Sequence, residues 1–103
     1  MSECEVTVHA GVCNMTTVIR AKPNDDMTVS IEIESNCPMV KKTPIPTLVP
    51  WEEIGLPMSQ SAIYKWASEN IGHTACPVPC AILKSIEVAG DLGLKKDVSI
   101  EIR

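Results

Sequence analysis

Apolar and polar residues alternate in segments 5–10 and 27–34, and the segment between them, 15–22, is rich in Thr, Val and Ile. The alternation is clearest in the third segment, where every second residue from Met27 to Ile33 is apolar. A period of two residues is typical of strands that bury one face, and residues that favour turns separate the segments. The short connections predict a three-stranded antiparallel meander.

The hydrophobic period becomes helical after Cys37. A first helix is predicted over residues 38–42, because proline fits the first helical position, and the proline-containing stretch 43–46 should end it. A second helix is predicted from a Ser59 cap to a terminating glycine at 72, and a third over residues 79–91. Between the first two, residues 51–54 have the composition of a single helical turn.

A last alternating segment has Val98, Ile100 and Ile102 separated by polar residues, which predicts a closing strand. The order of elements predicts an α+β fold: a three-stranded antiparallel meander, two to three helices on one sheet face, and a C-terminal strand. A chain of 103 residues can build one core, so we expect a single domain over residues 1–103.

Composition excludes several classes of function. Net charge is −4, the nine basic residues form no stripe, and the chain has one Tyr and no Phe, so nucleic acid is a poor candidate ligand. No apolar run approaches the roughly 20 residues of a membrane helix. The N-terminus has no pattern of a signal peptide, so a cytoplasmic location is expected.

Five cysteines are many for a short cytoplasmic protein. The odd number disfavours a complete disulfide framework and favours metal or redox chemistry. Four of them lie at predicted turns rather than inside periodic segments: Cys13, Cys37, Cys76 and Cys80. Two of these precede a proline at a predicted helix start, where the helix dipole favours thiolate, the form that binds metals or attacks electrophiles.

Three of these thiols are expected to meet at one edge of the sheet. In a meander, the turn after the first strand and the end of the third strand lie at the same edge, which places Cys13 near Cys37. A helix that begins near Cys76 could reach that edge, with Cys80 or His73 as a fourth group. Zinc and iron–sulfur clusters take four such ligands, so the sequence predicts a thiolate site for an iron–sulfur cluster or Zn.

Simpler roles remain open for each of these residues. The three main cysteines could be small buried thiols without chemistry, Cys80 could pack in its helix, and His73 could interact with the preceding helix C-terminus. Cys4 precedes the first predicted strand and is taken as incidental. The carboxylates at 32, 34, 52 and 53 are expected to lie on solvated faces, with none paired for acid–base catalysis.

Three functions therefore compete. The first is a metal-binding protein for cluster handling, storage or structure, which could work with a protein partner in metal or sulfur handling. The second is a sulfur carrier or thiol redox protein in which Cys37 or Cys76 is the nucleophile. The third is an interaction module whose cysteines belong to the core. No catalytic residue can be assigned, whether the protein is an enzyme stays open, and its oligomeric state is not indicated.

The cysteine layout resembles that of the U-type (IscU/NifU) iron–sulfur scaffold family. The matching stretches are Ala10-Gly11-Val12-Cys13, Ile33-Glu34-Ser35-Asn36-Cys37, and Ala75-Cys76 with the amphipathic run 81–86. In that family one cysteine follows a turn between two strands, a second closes the third strand, and a third opens a late helix. The resemblance implies a SufE/NifU-type scaffold fold and a cluster held by Cys13, Cys37 and Cys76.

A resemblance over nearly the whole length is to a small uncharacterised family of methanogenic archaea and anaerobic bacteria. It is carried by the Ala-Gly-x-Cys turn ending at Cys13, the Cys-Pro-x-Val start at Cys37, and residues 73–79. The resemblance implies an anaerobic cytoplasm, in which exposed thiolates and iron–sulfur centres survive. It implies no particular activity.

Overall fold

A computed structural model describes residues 1–41 and 44–103 of the chain. Its sheet has three antiparallel strands in the order β1 (Cys4–His9), β2 (Thr16–Pro23) and β3 (Val29–Ser35). The central strand pairs with both neighbours, and the short turns between strands leave no room for crossovers. The predicted meander is confirmed.

Short helical segments follow the sheet. A 3₁₀ helix at Pro38–Lys41 comes directly after β3, and a second one lies at Met58–Gln60. The α-helices are α1 (Pro50–Ile54), α2 (Ala62–Asn70) and α3 (Val78–Ala89). Together with the sheet they make an α+β fold, as predicted.

The predicted helices are found with shifted ends. The predicted first helix corresponds to the first 3₁₀ helix. Lys42, the last residue of the prediction, and Thr43, the first residue of the predicted stop, lie outside the described residues. The second helix is capped by Ser61 and not by Ser59, since the Ser61 hydroxyl accepts a hydrogen bond from the Tyr64 N–H at 3.2 Å. Ser59 instead belongs to the second 3₁₀ helix.

The core lies between α3 and one face of the sheet. α3 packs mainly on β1 and β2, and its Ile82 and Ile86 are fully buried against Ile19 of the central strand. The inner face is continued by apolar residues at alternate positions of all three strands. This face is the hydrophobic stripe that the alternation predicts.

The outer face of the sheet is polar. Arg20 on β2 lies between two carboxylates, with its Nε 3.0 Å from Glu5 and its Nη2 3.2 Å from Glu34, while Lys22 lies 3.1 Å from Glu32. All five residues in these contacts are at least partly exposed, so the ion pairs contribute little to stability. The prediction of solvated carboxylates at 32 and 34 is confirmed.

The predicted C-terminal strand is wrong. Residues 94–103 form no strand, and Val98, Ile100 and Ile102 are exposed. Alternation shows that a segment is compatible with a strand, but a strand forms only beside a partner that satisfies its backbone groups. Within the described residues the segment has no such partner.

Glu53 is a second departure from expectation, because its carboxylate is buried and only 5 % exposed. It accepts a hydrogen bond from the Ser61 hydroxyl at 2.5 Å and from the N–H groups of Ala62 and Ile63 at 3.1 and 3.2 Å. These are free N–H groups of the first turn of α2, where negative charge is also favoured by the helix dipole. Glu53 therefore fastens α1 to the start of α2.

We predict that Glu53→Gln lowers the free energy of unfolding by about 1–3 kcal/mol, since an amide NH₂ would face backbone donors in a buried position. The measurement is urea unfolding with circular dichroism as the signal. Glu52→Gln is the matched control, because Glu52 is exposed one residue earlier on the same helix. Equal stability of the two variants would contradict the capping role.

Gly90 allows α3 to contact α1 closely. A Cβ atom at this position would lie 2.4 Å from Cβ and 2.9 Å from Cγ of Pro50, a rigid and buried residue. No side chain larger than hydrogen fits at this contact without moving one of the two helices.

Gly90→Ala is accordingly expected to destabilise the protein by about 1–3 kcal/mol through overpacking. Gly72→Ala is the control, since the nearest atom to its added methyl, Met39 Sδ, is 4.0 Å away. Thermal unfolding of both variants decides the matter. A Gly90→Ala protein as stable as Gly72→Ala would show that the contact between the helices adjusts freely.

Candidate functional site

Cys13 lies on the turn between β1 and β2. The turn is closed by a hydrogen bond of 2.8 Å from the Asn14 N–H to the Gly11 carbonyl, and both residues have positive φ, +59° and +83°. The side chains of Cys13 and its neighbour Val12 are exposed. The turn therefore presents a thiol at one tip of the molecule.

Cys37 is held at the same end of the sheet. Its N–H donates to Ser35 Oγ at 3.0 Å, and that hydroxyl is bonded in turn to Thr17 Oγ1 at 2.7 Å in a buried pair. The side-chain oxygen of Asn36 accepts the Thr16 N–H at 2.9 Å. These contacts join the end of β3 to the hairpin that carries Cys13, so the predicted proximity of the two loops is confirmed.

Cys76 lies in a loop that adjoins the segment after Cys37. Its N–H donates to the His73 carbonyl at 3.0 Å, and the Gly72 N–H is 3.5 Å from the sulfur of Met39 in the first 3₁₀ helix. Both Cys37 and Cys76 are half-buried and pack against the same core cluster.

The direction of α3 also places its N-terminus toward the hairpin. At the far end of the helix the Ala89 carbonyl accepts the Ser2 N–H at 3.2 Å, beside the start of β1. A helix of 12 residues is about 18 Å long, and a strand of six residues about 20 Å. The start of α3 therefore lies toward the end of β1 that leads into Cys13.

Cys80 and His73 are the candidate fourth ligands, and both are exposed. Cys80 is the third residue of α3, whereas Cys76 precedes Pro77, the residue that caps this helix. Cys76 and Cys80 consequently do not share a helical face, since the helix begins only at Val78.

Cys4 is the first residue of β1 and is buried against Ala21, Val29 and Ala89, so its predicted position before the strand is wrong. Burial raises the pKa of the Cys4 thiol, an effect that the charge of Lys95 partly offsets. The sequence carried a signal for this role, because Cys4 continues the apolar alternation of Val6 and Val8 by one step.

A shallow recess of about 280 Å³ lies near this buried thiol, at the opposite end of the sheet from Cys13. Its lining includes Arg20, Lys22 and Lys95 together with Glu3 and Glu5. Arg20 is already bound by Glu5, and Lys22 is bound by Glu32 outside the recess. The recess therefore does not present a surface of a single charge sign to a ligand.

The loops meet more closely than the thiols do. Across residues 1–41 and 44–103, no group of three or more His, Cys, Asp or Glu side chains lies close enough together to hold a metal ion. The five cysteines are all free. Three neighbouring loops therefore each carry one free cysteine, and all three of these thiols are at least partly exposed.

Residues 4–102 match a family described as a family of unknown function (DUF6951). The chain belongs to this family. No curated protein and no solved structure matches it. The described residues include no helix that is both long and apolar enough to cross a membrane.

The five thiols should differ in their rates of alkylation in the folded protein. We expect Cys13 and Cys80 to react first because they are exposed, and Cys4 last, because it is buried and its raised pKa leaves less thiolate. Mass spectrometry of peptides after timed treatment with iodoacetamide gives the order, and the unfolded protein gives the reference rates. Rapid labelling of Cys4 before global unfolding would contradict the described packing.

Proposed function

We propose that this protein binds an iron–sulfur cluster or a zinc ion through thiolates at the hairpin end of its sheet. Cys13, Cys37 and Cys76 are the principal ligands, and Cys80 or His73 supplies the fourth. The observation that supports this most strongly is the junction of three cysteine-bearing loops, joined by the hydrogen bond from the Thr16 N–H to Asn36 and by the contact between Met39 and Gly72.

The donor set suits such a ligand chemically. Thiolate and imidazole are the preferred donors for zinc, and thiolates for iron–sulfur clusters. The cysteines are free of disulfides, and four of the five are at least partly accessible. The one buried thiol, Cys4, lies at the other end of the sheet and is left out of the site.

Ligation requires the three loops to move toward one another. Metal binding commonly supplies such ordering, because binding free energies of about 10–16 kcal/mol for structural zinc sites exceed the cost of rearranging a loop. The Cys13 turn lies between β1 and β2, and the Cys76 loop lies outside any helix, so neither movement breaks a regular element. The backbone contacts of Cys37 make it the fixed point of the site.

When bound, a cluster would allow electron transfer or transfer of the cluster itself, whereas zinc would stabilise the arrangement of the three loops. The chain's own thiolates would hold it at a position accessible to solvent and to a partner. A protein partner in metal or sulfur handling would approach from this same end, where Val12 is fully exposed beside Cys13.

The test is analysis of iron, zinc and acid-labile sulfide in protein prepared without oxygen. We predict close to one metal ion or cluster per chain, and loss of most of it in Cys13→Ala, Cys37→Ala and Cys76→Ala. Cys4→Ala is the matched control, because it removes a thiol that the proposed site does not use.

Retention of the metal in all three variants, or its equal loss in Cys4→Ala, would overturn the assignment of ligands. Circular dichroism of each variant separates loss of metal from loss of folding. The proposal as a whole would be overturned if the protein bound no metal after reconstitution with iron and sulfide and none after reconstitution with zinc.

A sulfur carrier or thiol redox protein is the second candidate. It is favoured by the position of Cys76 just before the cap of a helix of 12 residues, because a single thiol there needs no convergence of loops. This function requires the Cys76 thiol to react faster with electrophiles than an ordinary exposed cysteine does. The dependence of its alkylation rate on pH, compared with that of Cys13, distinguishes the two functions.

A further inference from the structure

We propose that two copies of this chain exchange their C-terminal segments. Residues 98–102 of each copy would add to the β1 edge of the other as a fourth strand of its sheet. The proposal rests on an apolar segment without a partner and a sheet edge without a neighbour, and it is independent of the cysteines.

The C-terminal segment, defined as residues 94–103, exposes four large apolar side chains. The exposed fractions are 86 % for Leu94, 57 % for Val98, 76 % for Ile100 and 91 % for Ile102. From residue 98 onward they alternate with polar residues, which is the pattern of a strand with one buried face. An extended segment of this kind gains stability only when it pairs with the edge of a sheet.

The free edge belongs to β1. On one side β1 pairs with β2, and on the other side no strand or bridge pairs with it within the described residues. The opposite edge of the sheet is partly covered, since Val29 on β3 exchanges two backbone hydrogen bonds of 2.7 and 3.1 Å with Leu48.

The segment and the edge are complementary in one antiparallel register. With Ile100 opposite Val8 and Ile102 opposite Val6, the segment extends the inner apolar face of the sheet. The polar positions then face one another on the outer side, where Arg103 comes opposite Glu5. No two carboxylates are opposite each other in this register.

Chain length makes a second copy the partner in this register. Lys95 lies beside Cys4 at the start of β1, whereas Val98 would have to lie opposite Ala10, about 20 Å away along the strand. Three residues span at most about 11 Å. A chain therefore cannot place its own segment in this register. In two copies related by a two-fold axis, the segment of each copy can pair with the β1 edge of the other.

The first measurement is the molar mass of the full chain by light scattering after size exclusion, with reductant and chelator to remove disulfide-linked and metal-bridged species. We expect about 22 kDa, twice the 11.2 kDa of one chain. Ile100→Lys should reduce the mass to that of one chain, because it places a charge on the buried face. Ser99→Lys, with the same added charge on the outer face, should leave the dimer intact.

Amide hydrogen exchange gives a second readout that does not depend on a variant. In the wild-type protein, residues 98–102 and the outer edge of β1 should exchange slowly at high concentration and rapidly on dilution. A wild-type mass of one chain would overturn the proposal, whether the segment is unprotected or protected within its own chain. A dimer that persists in Ile100→Lys would overturn it as well.

Discussion

Burial of one face of α3 against the inner face of the sheet is the constraint on which the rest of this structure depends. The chain has no Phe, so aliphatic residues such as Ile19, Ile82 and Ile86 fill the centre of the core. The close contact of Gly90 with Pro50 then fixes α1, and Glu53 on α1 fixes the start of α2. α2 also packs on α3 directly, because its Ile63 and Trp66 belong to the same core cluster as Ile82 and Ile86.

The same constraint organises the thiol-bearing end of the molecule. Because the last turn of α3 is tied to the start of β1, its first turn points toward the hairpin, and the loop containing Cys76 comes next to the segment that follows β3. Cysteines that are far apart in sequence thus come from neighbouring loops. The fold brings the loops together, but across residues 1–41 and 44–103 it brings no three His, Cys, Asp or Glu side chains close enough to hold a metal ion.

Local pattern was sufficient for the sheet and the helices, since short turns and a two-residue period leave few alternative pairings for β1 to β3. It failed where tertiary partners decide. Two adjacent glutamates give no sign that Glu53 is buried while Glu52 is exposed, and two nearby serines compete as the cap of α2. The alternation at residues 98–102 is compatible with a strand, but a strand also needs a partner, which a local pattern does not specify. The distances between the thiols depend on loop conformations, which hydrophobic periodicity does not encode.

The most direct test of the central claim is amide hydrogen exchange on reduced protein with and without zinc, and with and without a reconstituted cluster. We predict that a bound ligand slows exchange together in three separate loops, around Cys13, Cys37 and Cys76, while the interior of α3 changes little. Protection confined to one loop, or spread evenly over the chain, would contradict a site formed by the convergence of these loops.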